Sequence, residues 1–153
     1  MAAVIRCLVP AILACLPLCA SADDAQAKVD YLIHCQGCHL PGAVGMAGKV
    51  PRMKNFLGYY LHSEEGRQFI VQVPGAATAN LDDARLADLM NWLLLSYSKI
   101  ELPEDFEPYT AAEVGKLRPE LEPTPDETRK RILLDIAKDV PALASEMEGE
   151  IGY

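Results

Sequence analysis

The stretch Cys35-Gln36-Gly37-Cys38-His39 decides how the rest of this chain is interpreted, because its side chains suit one prosthetic group. Two cysteines three positions apart on a helical turn can form thioethers with both vinyl groups of one haem. The histidine that follows directly is then carried beneath the iron, where an imidazole nitrogen can ligate it. The pattern predicts one covalently attached haem c, with Cys35 and Cys38 as attachment sites and His39 as an axial iron ligand.

Two other sites use the same cysteine spacing: a redox-active disulfide and half of a zinc site. A zinc site would need two further ligands, and residues 23–153 offer only His34, His62 and carboxylates besides His39. A thioredoxin-like motif belongs with alternating strands and helices. No segment of this chain has the sustained polar–apolar alternation of a strand. Both considerations favour a haem site over a redox-active disulfide or a zinc site.

Residues 1–22 have the pattern of a cleaved export signal rather than of folded structure. One basic residue precedes the apolar stretch 8–18, and Ala20-Ser21-Ala22 forms an A-x-A cleavage site. The apolar stretch is short and interrupted by prolines, so it is not expected to span a bilayer. We predict a soluble periplasmic protein of a bacterium. A lipoprotein anchored at Cys15 is the less favoured alternative.

Cleavage would leave a chain whose remaining cysteines are Cys35 and Cys38, so once both are bound to haem no thiol is left for a disulfide in an oxidising compartment. About 130 residues would remain, enough for one domain of ordinary size. The full chain has a formal net charge of -8. This charge disfavours nucleic acid and anionic lipid as partners and suits a protein partner with a basic patch.

Helical spacing of apolar residues and N-cap signals predict an all-α chain. Glycine and proline predict loops at 40–49 and 76–80, with a helix stop at Pro74-Gly75. The last dozen residues are predicted to be disordered. The predicted helices cover 24–35, 55–62, 64–73, 82–97, 111–118 and 126–140.

In its order of elements, the segment 24–98 resembles a class I (mitochondrial-type) monohaem cytochrome c. It has a helix, the Cys-x-x-Cys-His motif, a glycine-rich loop, short helices, and a final helix bearing Trp92. The resemblance implies a cytochrome c-like fold over 23–98, in which the first and last helices cross near Trp92. An additional acidic, proline-rich C-terminal tail with one or two helices would occupy 99–153.

The resemblance also implies roles for residues near the haem. Pro51 stands where the family has a proline whose carbonyl accepts a hydrogen bond from the ligand histidine. Met53 stands at an apolar position that packs on the haem ring. Apart from the resemblance, side-chain chemistry makes Arg52, Arg67, Tyr59 and Tyr60 candidates for hydrogen bonds to the haem propionates. Met90 belongs to the apolar stripe of its helix and is interpreted as a core residue.

The family's methionine ligand at the sixth iron position has no counterpart here. The matching dipeptide is Val73-Pro74, and residues 56–84 contain no methionine. The sixth position is therefore open or water-bound, or is filled by His62, Met53 or Met46. His62 and the open site are favoured over the two methionines, and bis-histidine ligation would give a lower potential than histidine and methionine.

These features predict an exported carrier of single electrons rather than an enzyme. Its partner would be another redox protein, such as a dehydrogenase or an oxidase. A cytochrome subunit dedicated to one dehydrogenase is a variant of this hypothesis, with the helix 126–140 either docked on the partner or folded back. The alternative is a five-coordinate haem protein that binds NO, CO or peroxide as a sensor or enzyme, with His62 as the distal histidine candidate for peroxide chemistry.

Overall fold

A computed structural model describes residues 20–147, with the side chains of 24–147. Helices make up 63% of the described residues. The described part has no strand and a single isolated bridge, between Met46 and Val50, so the predicted all-α fold class is confirmed. Short 3-10 helices occupy Pro41–Ala43 and Leu57–His62. The α-helices are α1 Ala20–His34, α2 Gln36–His39, α3 Glu64–Gln72, α4 Pro74–Ala77, α5 Asp83–Tyr97, α6 Ala111–Leu117, α7 Pro125–Ile136 and α8 Pro141–Glu146.

Positions 1–19 of the predicted export signal, which include Cys15, lie outside the described residues. Residues 20–22 belong to the first turn of α1. Within 20–147, none of the helices combines the length and the apolar character needed to cross a membrane.

Helices α1 and α5 pack against each other around three aromatic rings. The ring centroid of Tyr31 lies 5.8 Å from that of Trp92 and 5.9 Å from that of Tyr97. The carboxylate of Asp30 is buried beside this cluster and accepts from both Nη2 and Nε of Arg85, the latter at 3.1 Å. The aromatic contacts and the ion pair both join α1 to α5, just before the Cys-x-x-Cys-His motif that follows α1.

Three predicted helix starts are confirmed by side-chain caps. Ser63 Oγ accepts from the backbone N–H of Gly66 at 3.0 Å, which starts α3. Asp82 Oδ1 accepts from the N–H of Arg85 at 2.8 Å, which starts α5. Thr110 caps α6 in the same way, at 3.2 Å. Each cap satisfies one of the N–H groups that the first helical turn leaves without a partner.

Pro74 and Pro141 each occupy the first position of a short helix. The predicted stop of α3 is confirmed, since α3 ends at Gln72, but Pro74 then starts the four-residue α4, which was not predicted. Pro141 likewise starts α8, which occupies part of the C-terminal stretch predicted to be disordered, and α7 ends at Ile136 rather than at 140. Proline suits the first helical position, because the N–H that it lacks would have no helical partner there.

The tail folds back onto the preceding residues and shares their core. It contains α6, α7 and α8, where the sequence predicted one or two helices. Its buried apolar residues belong to the same cluster as the core of α3 and α5. They include Tyr109, Val114, Ile132, Ile136 and Leu143, each 5% exposed or less.

Candidate haem-binding site

A cavity of about 310 Å³ brings Cys35, Cys38 and His39 together at one end of α1. Cys35 directly precedes the single turn of α2, and Cys38 and His39 belong to it; the backbone N–H of His39 donates to the carbonyl of Cys35 at 2.9 Å. The remaining walls are mainly apolar. Leu57, Phe69, Ile70, Leu86, Leu89 and Leu93 are among the residues that form them.

The imidazole of His39 is held in a fixed orientation. Its Nδ1 donates to the carbonyl oxygen of Pro51 over 3.0 Å, as the resemblance implied, and Nε2 is the ring nitrogen that remains for another partner. Burial lowers the pKa of His39, and the hydrogen bond to Pro51 partly opposes this effect. Burial thus favours the neutral imidazole, which is the form that ligates metals.

The two cysteines lie in different surroundings at the edge of the cavity. Both are free thiols; Cys35 is partly buried and Cys38 is exposed. Burial raises the pKa of the Cys35 thiol to about 11, and the nearby Asp30 and Cys38 add to the shift. The site therefore has one sheltered thiol and one thiol at the protein surface.

Glycine at position 45 lets the loop that follows His39 fold tightly enough to place Pro51. Gly45 has a φ of +66°, and an added Cβ would lie 2.5 Å from the carbonyl oxygen of Val50. A larger side chain here would collide with the backbone that carries Pro51. The return of this loop is held by the N–H of Met53, which donates to the carbonyl of Ala43 at 2.9 Å.

The residues considered for the sixth iron position are spread over the structure. His62 does not line the cavity, and its Nε2 lies 2.9 Å from the carbonyl oxygen of Glu101. Met46 also lies outside the cavity lining. Met53 lines the cavity and is 9% exposed, two residues from the carbonyl that holds His39. Met90, interpreted from the sequence as core, is buried on α5 and also lines the cavity.

The segment 73–79 lines the cavity at the place where the resemblance would put a methionine ligand. Its lining residues include Val73, Pro74, Gly75 and Ala76, none of which carries a side-chain atom able to bind iron. A Cβ added to Gly75 would meet no atom within 4 Å. The segment thus forms an apolar wall of the cavity, with unfilled space next to Gly75.

The side chain of Arg118, in the tail, holds the segment that forms this wall. Its Nη2 donates to the carbonyls of Ala77 at 3.0 Å and Ala79 at 2.7 Å. Its Nη1 donates to the carbonyl of Leu81 at 2.8 Å and to Asp83 Oδ1 at 3.1 Å. No sequence pattern predicts this role, since an arginine directly after a helix is usually an exposed surface residue.

Of the four propionate candidates, Arg52 and Tyr60 line the cavity. Arg67 and Tyr59 do not. The guanidinium of Arg67 instead forms a 2.6 Å ion pair with Glu113. The sequence did not indicate that the tail would also line the cavity. Three residues of α7 do so: Pro125, Asp126 and Arg129.

The residues of this cavity fit a covalently bound haem. Two thiols and an oriented imidazole line an apolar cavity, and two arginines line it as well, Arg52 and Arg129. By contrast, no group of three His, Cys, Asp or Glu side chains within the described range could hold a metal ion by itself.

Comparison with known proteins points the same way. The chain is 26% identical over 117 residues to a cytochrome c-552 from one strain of Thermus thermophilus, covering 65% of this chain and 76% of that protein. A second cytochrome c-552 from Thermus thermophilus is 26% identical over 102 residues, covering 55% and 78%. No family model and no solved structure matches. The two related proteins, both named as cytochromes, support a c-type cytochrome.

Proposed function

We propose that this chain is an exported class I monohaem cytochrome c that carries single electrons between redox partners. The observation that carries the proposal is the meeting of Cys35, Cys38 and His39 in one apolar cavity, with Nδ1 of His39 fixed by the carbonyl of Pro51. Similarity to the two c-552 cytochromes supports the same class of activity.

Each residue has a defined task in this proposal. Cys35 and Cys38 would hold the haem through thioether bonds to its two vinyl groups, and His39 would ligate its iron through Nε2. When bound, the haem supplies a one-electron couple. The apolar walls exclude water and thereby influence the potential, while the exposed Cys38 marks an edge at which a partner can approach. No substrate needs to be chemically altered.

The partner in this proposal is a redox protein, such as a dehydrogenase or an oxidase, with a basic patch that complements the net charge of -8. A subunit dedicated to a periplasmic dehydrogenase is included. Truncation after Lys99 would test the tail's docking role poorly, because Val114 and Ile132 are buried in the common core. Substitution of exposed tail residues such as Leu121, followed by co-purification, separates docking from folding.

Export is tested by the mass of the mature protein. Cleavage after Ala22 predicts a chain that begins at Asp23 and carries one haem. A chain that begins at Cys15 with attached lipid would support the lipoprotein alternative instead.

The decisive test of the haem proposal compares wild type with the double variant Cys35→Ala/Cys38→Ala after expression with a haem-attachment system. Wild type should retain one haem after acid–acetone extraction and give the pyridine haemochrome spectrum of two thioethers. The double variant should lose its haem in the extraction. A wild-type chain without covalent haem would contradict the proposal.

A second function, binding of NO or CO at five-coordinate iron, is favoured by one specific observation. The wall from Val73 to Ala79 offers no ligand, and His62 is engaged with Glu101 outside the cavity. Peroxide chemistry has less support, since His62 was its distal candidate. Reduced spectra with and without CO decide: a low-spin spectrum unaffected by CO supports electron transfer alone, and a high-spin spectrum that shifts supports ligand binding.

A further inference from the structure

The tail contributes a wall to the haem cavity. The backbone N–H of Glu122 donates to the carbonyl of Gln72 at 3.0 Å, so the approach to α7 runs beside the end of α3. Ile132 and Ile136, 1% and 5% exposed, then bury one face of α7 in the core. This placement directs the first turns of α7, including Arg129, to the cavity.

Arg129 is largely sheltered from solvent. Its side chain is 11% exposed, and its Nη2 lies 3.6 Å from Oδ1 of Asp126, whose own side chain is 90% exposed. Among the cavity-lining side chains of the described range, the guanidinium groups are those of Arg129 and Arg52. Arg52 also forms a 2.6 Å ion pair with Glu146 of α8.

A bound haem brings two propionate carboxylates into this apolar space. A carboxylate that leaves water needs a cation or hydrogen-bond donors, because an unpaired buried charge is strongly unfavourable. Guanidinium is well matched to a carboxylate, since it can form two parallel hydrogen bonds to it. Arg129 lies on the cavity and within the first turns of a helix, whose N-terminal end also favours negative charge.

We propose that Arg129 binds one haem propionate, which makes the tail part of the haem site rather than a separate arm. The second propionate is assigned to Arg52. This inference rests on the proposed haem function and adds a residue from outside the segment that resembles class I cytochromes.

The test uses the full-length haem-loaded protein and the variants Arg129→Gln, Arg129→Lys and Lys130→Gln. Lys130 is an exposed neighbour on α7, and its change removes the same charge from the same helix. Loss of a positive charge close to the haem favours the oxidised, more positive iron. Arg129→Gln should lower the equilibrium constant for reduction about tenfold, which is about 59 mV for one electron.

Two readouts make the assignment specific. The propionate-bending band in the resonance Raman spectrum should shift in Arg129→Gln and stay unchanged in Lys130→Gln. Arg129→Lys should recover most of the potential but not the Raman band, because it keeps the charge and loses the two-point geometry. If Arg129→Gln does not accumulate, Arg129→Lys decides: a wild-type Raman band in that variant overturns the inference.

The results that would contradict the proposed haem function differ from those that would contradict the propionate assignment. Wild-type protein without covalent haem overturns the proposed function itself. Haem-loaded Arg129→Gln with the potential and Raman band of Lys130→Gln overturns only the propionate assignment. An unchanged potential combined with weaker azide binding to the oxidised iron also overturns it, and would assign Arg129 to an exogenous anion instead.

Discussion

Nη2 of Arg118 donates a 2.7 Å hydrogen bond to the carbonyl oxygen of Ala79. This contact joins the end of α6, in the tail, to the cavity wall that lacks a ligating side chain. The same guanidinium also holds the carbonyls of Ala77 and Leu81. The shape of this wall therefore depends on a residue 39 positions further along the chain than Ala79.

Arg118→Ala should release this segment. The side chain is only 16% exposed, and hydrogen bonds from a charged donor are worth about 1.5–3 kcal/mol each, so we expect a loss of about 3 kcal/mol in unfolding free energy. Amide hydrogen exchange should accelerate at 77–81. The exposed Lys116 on α6 provides the control Lys116→Ala, and equal protection in both variants would contradict the prediction.

The packing of α7 predicts a second pair of variants. Ile132→Ala removes a side chain that is 1% exposed and should destabilise the protein by about 3 kcal/mol, as typical for a buried isoleucine. Leu134→Ala, on the same helix but 49% exposed, should change stability by no more than about 0.5 kcal/mol. Denaturant unfolding measures both. Similar values for the two would mean that α7 does not pack as described.

The Asp30–Arg85 ion pair predicts an order of effects on the melting temperature. The side chain of Asp30 is 1% exposed, whereas that of Arg85 is 44% exposed. Arg85→Gln should lower the melting temperature more than Asp30→Asn, because it leaves the carboxylate buried without its cation. The exposed Asp88 on α5 gives the control Asp88→Asn, which should have little effect. A larger effect of Asp30→Asn would mean that water reaches the carboxylate once the guanidinium is gone.

His62→Ala should leave the haem spectrum unchanged in both oxidation states. The imidazole lies outside the cavity, and its Nε2 is 2.9 Å from the carbonyl of Glu101. Conversion from a low-spin to a high-spin spectrum in this variant would contradict the expectation and identify His62 as the sixth ligand.

Val73→Met should place a thioether on the wall that lacks one. If the sixth position is open, the variant should become low-spin, lose CO binding and gain a higher potential, since methionine ligation raises it. Val44→Met, at a side chain that is 51% exposed and outside the cavity lining, is the matched control. An unchanged spectrum and CO affinity in Val73→Met would argue that another residue already occupies the position.

Local chemistry allowed much of the helical structure to be predicted. Ser63, Asp82 and Thr110 cap the helices that were predicted to start near them, because an N-cap bond involves residues only three positions apart. The short helices that begin at Pro74 and Pro141 were not predicted, for a reason that is also local. Proline ends a helix in the interior but suits its first position, and which applies depends on where the next turn finds packing partners.

The sequence by itself determined the chemistry of the candidate site: two thiols and an imidazole at fixed spacing on one helical turn, in Cys35, Cys38 and His39. Their mutual placement needs only local helix geometry. The tertiary structure decided what surrounds them. Arg129 lines the cavity, and Arg118 holds one of its walls, only because the tail buries its apolar face in the common core. Such long-range packing depends on many weak contacts that no short motif encodes.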